Sequence, residues 1–329
     1  MTTETDISSG LSSAGLKPLG TNFADPTDVL RFLVEEADQG RACALIIVTD
    51  TEGGGVRAPG ALAGVSETGS CAGYVSNGCV DADMFMQARA AIDDSKVRRL
   101  RYGSGSPYMD IRLPCGGVVD VMVIPNPDRA AVKTLLTRLE TREPTAFYGS
   151  QAKGLELADY TSKPAGWSDD QFYVPCAPKL RLRIAGRGTE PIALMRAAHA
   201  LDFDVILQSP DEDKLSAAQA LGFQTERLIS TSDAPPCHDD SFTAFVMMFH
   251  DHEWEEELLK SALNGQAFYI GALGGRKTHA ARCENLRKAG VSKAKIARIK
   301  GPIGLVSPVR NASFLAVSVL AEIIQESEN

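Results

Sequence analysis

KLRLRIAGRGTEPIALMRAAHALDFDVILQSPDE, residues 179–212, places a strand, a glycine-rich turn, a helix and a second strand in one short stretch. That order is the βαβ context in which a glycine fingerprint carries meaning. The turn itself, Gly186-Arg187-Gly188-Thr189-Glu190-Pro191, reads G-x-G-x-x-P. The first two glycines permit a tight turn and close approach of a phosphate, and proline is tolerated early in a helix. The stretch predicts a Rossmann-type unit. An acid that would bind ribose hydroxyls belongs at the end of the second strand, where Ser209, Pro210 and Asp211 stand instead. Ordinary NAD binding is therefore not expected.

Downstream follow FTAFVMMF (242–249), a helix near 253–264, AFYIGAL (267–273), a helix near 277–289 and a last helix over 312–325. Strands alternating with helices predict a parallel, doubly wound sheet. Upstream, Asp25-Pro26 caps a helix that stops at Gly40, and ACALIIVTD (42–50) reads as a buried strand. TEGGGVRAPGALAGV (51–65) reads as glycine-rich turn and CAGYV (71–75) as a short strand. VDADMFMQARAAIDDS (80–95) is the next helix, and RLRYG, MDIRL and GVVDVMVIP are strands. A helix over 130–142 closes the unit, and 143–178 reads as linker with a small sheet extension. The expected fold class is α/β with two domains: a tail at 1–24 read as disordered, an α/β domain at 25–177 and a Rossmann-like domain at 178–329.

The chain has 329 residues, 44% hydrophobic and 23% charged, with a net charge of −8. That composition supports sizeable cores and argues against broad, charge-driven binding of nucleic acid. Seven cysteines, at 43, 71, 79, 115, 176, 237 and 283, are odd in number, irregular in spacing and free of CxxC pairs. Free thiols in a reducing cytoplasm are the expectation. MTTETDISSGLSSAG has neither the basic start nor the apolar centre of a signal peptide, and no apolar run is long enough to span a bilayer.

GYVSNGCVDAD (73–83) sets Cys79 after Gly78, on or just ahead of the first turn of a helix. Such a position lowers a thiol pKa, and Asp81 and Asp83 oppose the shift. PCGGV (114–118) holds a second thiol, Cys115, beside Gly116 and Gly117. GALGGRKTHAAR (271–282) opens another helix behind Gly274, with Arg276, Lys277 and His279 at its start. It suits a phosphate or, equally, a solvated basic helix start. FHDHEWEEE (249–257) puts His250 and His252 at a strand end, as metal ligands or as a polar lip of the sheet. Cys237-His238 reads as incidental. Walker-type, G-x-S-x-G and zinc-protease motifs are absent from the sequence.

These stretches together resemble the XdhC/CoxI family of molybdenum-cofactor chaperones. The resemblance rests on CAGYVSNGCVDAD, LPCGGVVDV, RIAGRG, GALGGRKTHAARCENLRKAG and GPIGL, and covers roughly 40–325. It implies a protein that binds finished molybdenum cofactor, molybdopterin as such or as a cytosine dinucleotide, and shields it from oxidation. With a cysteine desulfurase it assists sulfuration of the metal. It then delivers the cofactor to a xanthine dehydrogenase-like or an aldehyde or CO dehydrogenase-like apoenzyme. Cys79 would contact the metal and Cys115 lie nearby. Arg57, Ser76, Asn77, Gly78, Gly116 and Gly117 would surround the cofactor. Gly186, Gly188, His250, Gly274, Arg276 and His279 would serve its phosphate or nucleotide part. The resemblance also implies a cytoplasmic homodimer without independent turnover. Asn77 stands where the family carries glycine, Ser209 where it carries Asp, and Val306-Ser307-Pro308 follows GPIGL in place of the family's acidic, glycine-rich run. Two other classes compete: an NAD(P)-dependent oxidoreductase, and an assembly factor that binds a molybdoenzyme apoprotein without cofactor.

Overall fold

A computed structural model describes residues 25–53, 57–76, 78, 80–106, 116–232, 234–236, 238–306 and 308–328. The tail expected at 1–24 and the MDIRL strand lie outside the described residues. The chain divides into two compact units after Cys176.

In the first unit Asp25 caps α1 (Pro26–Asp38), accepting from the Thr27 amide, and Gly40 leaves the helix at φ +71°. Next come β1 (Cys43–Glu52), β2 (Leu62–Ser66), β3 (Cys71–Gly73), α2 (Asp81–Asp94), β4 (Arg98–Tyr102), β5 (Val118–Pro125) and α3 (Arg129–Glu140). The strands form an antiparallel sheet in the order β3-β2-β1-β5-β4. Strand β1 is apolar at successive positions because both of its faces are covered. Cys43, Leu45 and Ile47 pack toward α1 and α3, whereas Ala44, Ile46 and Val48 pack toward α2. Burying each large aliphatic side chain of this kind contributes about 1.5–3 kcal/mol.

Two expectations change here. ALAGV, read as turn, is strand β2, paired with β1 from Ile47↔Leu62 to Cys43↔Ser66. Residues 143–178 form more than a linker: β6 (Thr145–Ser150), β7 (Gly154–Ala158), β8 (Gly166–Ser168) and β9 (Gln171–Cys176) make a sheet in the order β7-β6-β9-β8. Phe147, Leu155, Phe172 and Val174 bury into the same core as α1 and α3, which holds this sheet to the unit.

The second unit runs β10 (Arg181–Gly186), α4 (Thr189–Ala200), β11 (Asp204–Ser209), α5 (Glu212–Ala220), β12 (Gln224–Arg227), β13 (Thr243–Met248), α6 (Glu255–Asn264), β14 (Tyr269–Ala272), α7 (Arg276–Lys288), α8 (Lys293–Ile296), β15 (Ile299–Lys300) and α9 (Ala312–Ser327). All neighbours pair parallel, in the order β12-β11-β10-β13-β14-β15. Numbered within the sheet this is 3-2-1-4-5-6, the order of dinucleotide-binding sheets, with its switch point between β10 and β13. Helices α4, α5 and α9 cover one face, and α6 and α7 the other.

A buried ion pair crosses this sheet. The Arg183 guanidinium on β10 forms a bidentate pair with Asp239, donates to Gln208 Oε1 at 2.9 Å and lies 4.0 Å over the Phe245 ring. Removing one member strands the other charge without water, a loss of about 3–5 kcal/mol. Asp239→Ala should therefore lower unfolding stability by that amount in a urea titration. An unchanged midpoint would remove the pair from the account of this unit.

Candidate functional site

The glycine segments of the first unit meet at one end of its antiparallel sheet. Gly53 follows β1, Gly103 follows β4 and Gly117 precedes β5. A Cβ on Gly53 would touch the Gly117 Cα at 3.4 Å, and one on Gly103 would stand 2.2 Å from the Gly117 carbonyl oxygen. Only glycine fits at position 103, where any side chain would collide with the Gly117 carbonyl. Arg101 ties the same strand ends together, donating to Asp120 at 2.7 Å and to Glu52 at 2.8 Å. Burial raises the Asp120 pKa, against the pull of Arg101.

The turn between β3 and α2 is organised by Asp81, the first residue of α2. Its Oδ1 accepts from the amides of Val75 (3.0 Å) and Ser76 (2.9 Å), and its Oδ2 from the amide of Gly78 (2.6 Å). Ser76 Oγ accepts from the Val80 amide at 2.8 Å. The Tyr102 hydroxyl donates to Asp83 at 2.7 Å, linking β4 to the start of α2. Arg57 donates to the Tyr74 carbonyl at 3.3 Å, its guanidinium 4.7 Å from the Tyr74 ring centre.

Several expected contacts are thereby reassigned. Ser76 is buried and its hydroxyl closes the turn. The amides of Ser76 and Gly78, residues expected to surround the cofactor, are taken by Asp81. At Gly78 (φ +101°) and Gly116 (φ +70°) no atom of the described residues lies within 4 Å of where a Cβ would stand. Asn77, Cys79 and Cys115 lie outside the described residues. Of the thiols that are described, burial pushes Cys43 up to about 11 and Cys176 up to about 12, and it raises Cys71 as well. Those three are packing thiols.

In the second unit the expected residues line the carboxyl edge of the parallel sheet. Gly188 (φ +83°) caps α4. Gly186 is glycine for packing, because a Cβ there would stand 2.7 Å from the Met248 carbonyl oxygen and 2.8 Å from the Pro191 ring. Strand β13 stops at Met248, so His250 and His252 lie beyond it and diverge. His250 faces Glu190 at 3.6 Å and His252 faces Glu255 at 3.2 Å. Among the described residues no group of three or more His, Cys, Asp or Glu is placed to hold a metal ion. Arg187 spans the switch point, 3.2 Å from Asp211 and 3.5 Å from Asp251. Asp211, two residues past Ser209, thus supplies a carboxylate close to the strand end where the fingerprint asks for an acid. Gly274 (φ +130°) sits under Thr278, and Arg276 is exposed on the first turn of α7.

His279 packs on Gly301, where a Cβ would stand 2.3 Å from its Nδ1, so GGRKTH and GPIG need one another. The buried side-chain atoms without a hydrogen-bond partner are Asp251 Oδ1, His279 Nδ1 and Arg282 Nη1, among the described residues. All three belong to the segments that leave β13 and β14 at the carboxyl edge.

A model of the XdhC and CoxI family matches residues 37–103, and a model of the XdhC Rossmann domain matches residues 182–323. The molybdenum cofactor insertion chaperone PaoD of Escherichia coli is 33% identical over 300 residues, 91% of this chain and 88% of PaoD. The chain belongs to the XdhC and CoxI family. YqeB of Escherichia coli, an uncharacterised protein, is 26% identical over 74% of the chain, which spans 44% of YqeB. A solved Bacillus halodurans structure described as a xanthine dehydrogenase superposes with a TM-score of 0.72 at 18% identity. That alignment covers 92% of this chain and 96% of the other, and it establishes the shared fold. The Asp81 turn falls within the first family model, and the carboxyl edge of the parallel sheet within the second.

Asp81 gives this XdhC/CoxI chain a sharp test. Asp81→Ala leaves three turn amides without their acceptor, at a cost of about 2–4 kcal/mol. Faster amide exchange at Val75, Ser76 and Gly78 should accompany the lower urea midpoint. Unaltered exchange there would show that the turn holds without the carboxylate.

His279 provides a pH test. Burial first, and Arg282 second, push its pKa below the ordinary 6.5. The folded state therefore holds it neutral where the unfolded chain takes up a proton. Its contribution to stability is full above about pH 6.5 and is lost as pH falls toward the folded pKa. Urea midpoints between pH 7.5 and 5.5 should fall more steeply for the natural protein than for His279→Leu. Parallel slopes would contradict this.

Proposed function

We propose that this protein is a molybdenum-cofactor chaperone whose cargo sits at the glycine-lined end of the first sheet. The 33% identity to PaoD over 91% of the chain is the observation that carries the reading. The cargo would reach the backbone at Gly78 and Gly116, where the space beyond the Cα is open. Asp81 and Ser76 position the turn, and Cys79, in the same turn, contacts the metal, with Cys115 as a second thiol. Both thiols and Asn77 are assigned from the sequence. A thiolate is a soft ligand, which suits a molybdenum centre held temporarily and then released.

The protein shields the cofactor, presents it to a cysteine desulfurase for sulfuration and delivers it to a xanthine dehydrogenase-like or an aldehyde or CO dehydrogenase-like apoenzyme. It works in the cytoplasm as a homodimer. No helix among the described residues is long and apolar enough to cross a membrane.

The carboxyl edge of the parallel sheet accommodates the phosphate and nucleotide part of the cofactor, a cytosine dinucleotide by preference. Asp211 there suits ribose hydroxyls, and Arg187 and Arg276 suit the phosphates. Glu190 already occupies the first turn of α4, and Asp211 and Asp251 flank Arg187.

The test is purification from a host that makes molybdenum cofactor, followed by extraction of oxidised pterin and assay of released CMP and GMP. Natural protein should carry pterin with CMP. Cys79→Ala should lower bound pterin about tenfold, the effect of losing about 1.4 kcal/mol of binding. Full pterin loading of the variant, with full activation of the apoenzyme, would remove Cys79 from the site. Protein that carries no pterin yet activates the apoenzyme would replace the chaperone reading with that of a cofactor-free assembly factor.

A further inference from the structure

The small sheet of the first unit carries a cavity of about 730 Å³, within the roughly 300–1,000 Å³ of small-ligand clefts. Tyr148 on β6 pairs with Tyr173 on β9, and Tyr173 with Gly166 on the edge strand β8. Strand alternation sets this row opposite Phe147, Phe172 and Val174, which bury into the core. The two tyrosine rings stand 5.5 Å apart at 56°. Beside them no described residue lies within 4 Å of where a Cβ on Gly166 would stand. Trp167 completes the aromatic wall, and α3 and the β7–β8 loop bring in Arg138 and Lys163. The rings are held in advance. The Tyr173 hydroxyl accepts from the Thr161 amide at 2.7 Å and donates to the Asp159 carbonyl at 3.3 Å, which pins the loop over the sheet. Trp167 meets Phe172 edge-on at 5.2 Å and carries the Arg99 guanidinium 4.3 Å over its ring, yet it stays 42% exposed. Rings fixed in this way lose little freedom when a planar ligand stacks on them.

The charges in the lining select the ligand. Arg138 donates to the Thr145 hydroxyl at 3.4 Å, and neither it nor Lys163 makes an ion pair among the described residues. Asp159 is the one carboxylate of the lining. We propose that this cavity binds a nucleoside monophosphate. Tyr148 and Trp167 stack the base, a contact that any base can make through its π-face. Asp159 accepts from the ribose hydroxyls, and Arg138 and Lys163 hold the phosphate. An uncharged aromatic ligand would leave two cations without an anion, and inorganic phosphate would leave the aromatic wall unused. Residues 104–181, which contain this sheet, are matched by neither family model. The site goes beyond the cofactor reading and does not depend on it.

Tryptophan fluorescence of the full chain, titrated with AMP, adenosine and inorganic phosphate as probes, tests the site. The chain has two tryptophans, Trp167 in the cavity and Trp254, which is buried in the second unit. AMP should quench the natural protein, and Trp167→Phe should abolish the signal. AMP should bind about tenfold tighter than either adenosine or phosphate. Tyr148→Ala should weaken AMP about tenfold and Lys163→Ala about fivefold. Gly166→Leu should weaken it at least about 30-fold by filling the space beside Tyr173. Its thermal melt should be unchanged, because Gly166 lies in a strand without positive φ and no described residue crowds its Cβ position. Arg276→Ala, at the carboxyl edge of the other unit, should leave the Trp167 signal intact. No quenching at millimolar AMP overturns the proposal, as does quenching that survives Trp167→Phe. So do adenosine or phosphate binding as tightly as AMP, AMP binding untouched by Gly166→Leu, and a signal lost in Arg276→Ala. Pterin loading is read in a separate extraction, so a failure here leaves the chaperone reading standing.

Discussion

The carboxylate of Asp81 fixes the path of the chain from β3 into α2, and the first site depends on that path. Three backbone amides of the turn converge on it. Such bonds to an ionised acceptor are roughly twice as strong as neutral ones. The consequence is that Val75, Ser76 and Gly78 are tied together from inside, with no described residue against the Cα of Gly78. Were cargo to be held at this turn, as proposed, the carboxylate rather than the cargo would keep the turn formed, and binding would rest on other contacts.

The glycines divide by the same logic. Gly53, Gly103 and Gly117 let three strand ends come together, and Gly186 admits the Pro191 ring and strand β13. Gly103 and Gly186 are glycine because protein fills the space where a Cβ would stand. At Gly78 and Gly116 no described residue fills that space, and both take positive φ. A glycine-rich motif therefore mixes two functions that a sequence alone does not separate. What separates them is the atom that a Cβ would meet.

The same distinction governs what is legible in the sequence. The Rossmann unit can be read because its strands, turns and helices alternate locally, and its central strand β13 (TAFVMM) is apolar along nearly all of its length. Residues 143–176 are harder. Their strands are short, and each carries a glycine or proline (Gly149, Gly154, Gly166 and Pro175) that blurs the strand pattern. They owe their order to burial of Phe147, Leu155, Phe172 and Val174 against helices distant in the chain. Asp81 is visible in the sequence but reads there only as a charge beside Cys79. An Asp at the start of a helix, closing a Ser-x-Gly turn behind it, is a hydrogen-bonding pattern that the sequence does contain. Asp211 escapes for a different reason. The fingerprint asks for the acid at the strand end itself, and the geometry places it at the cap of the next helix.

The carboxyl edge of the parallel sheet is the less settled half of the molecule energetically. Arg187 bridges Asp211 and Asp251, yet Asp251 keeps one buried oxygen without a partner. His279 and Arg282 each keep one buried nitrogen in the same condition. A buried polar atom left unpaired costs about 1–3 kcal/mol. In the first unit the turn satisfies its own donors, so occupancy adds little to its stability. Along this edge a polar ligand or ordered water that supplied the missing partners would stabilise the fold as it bound.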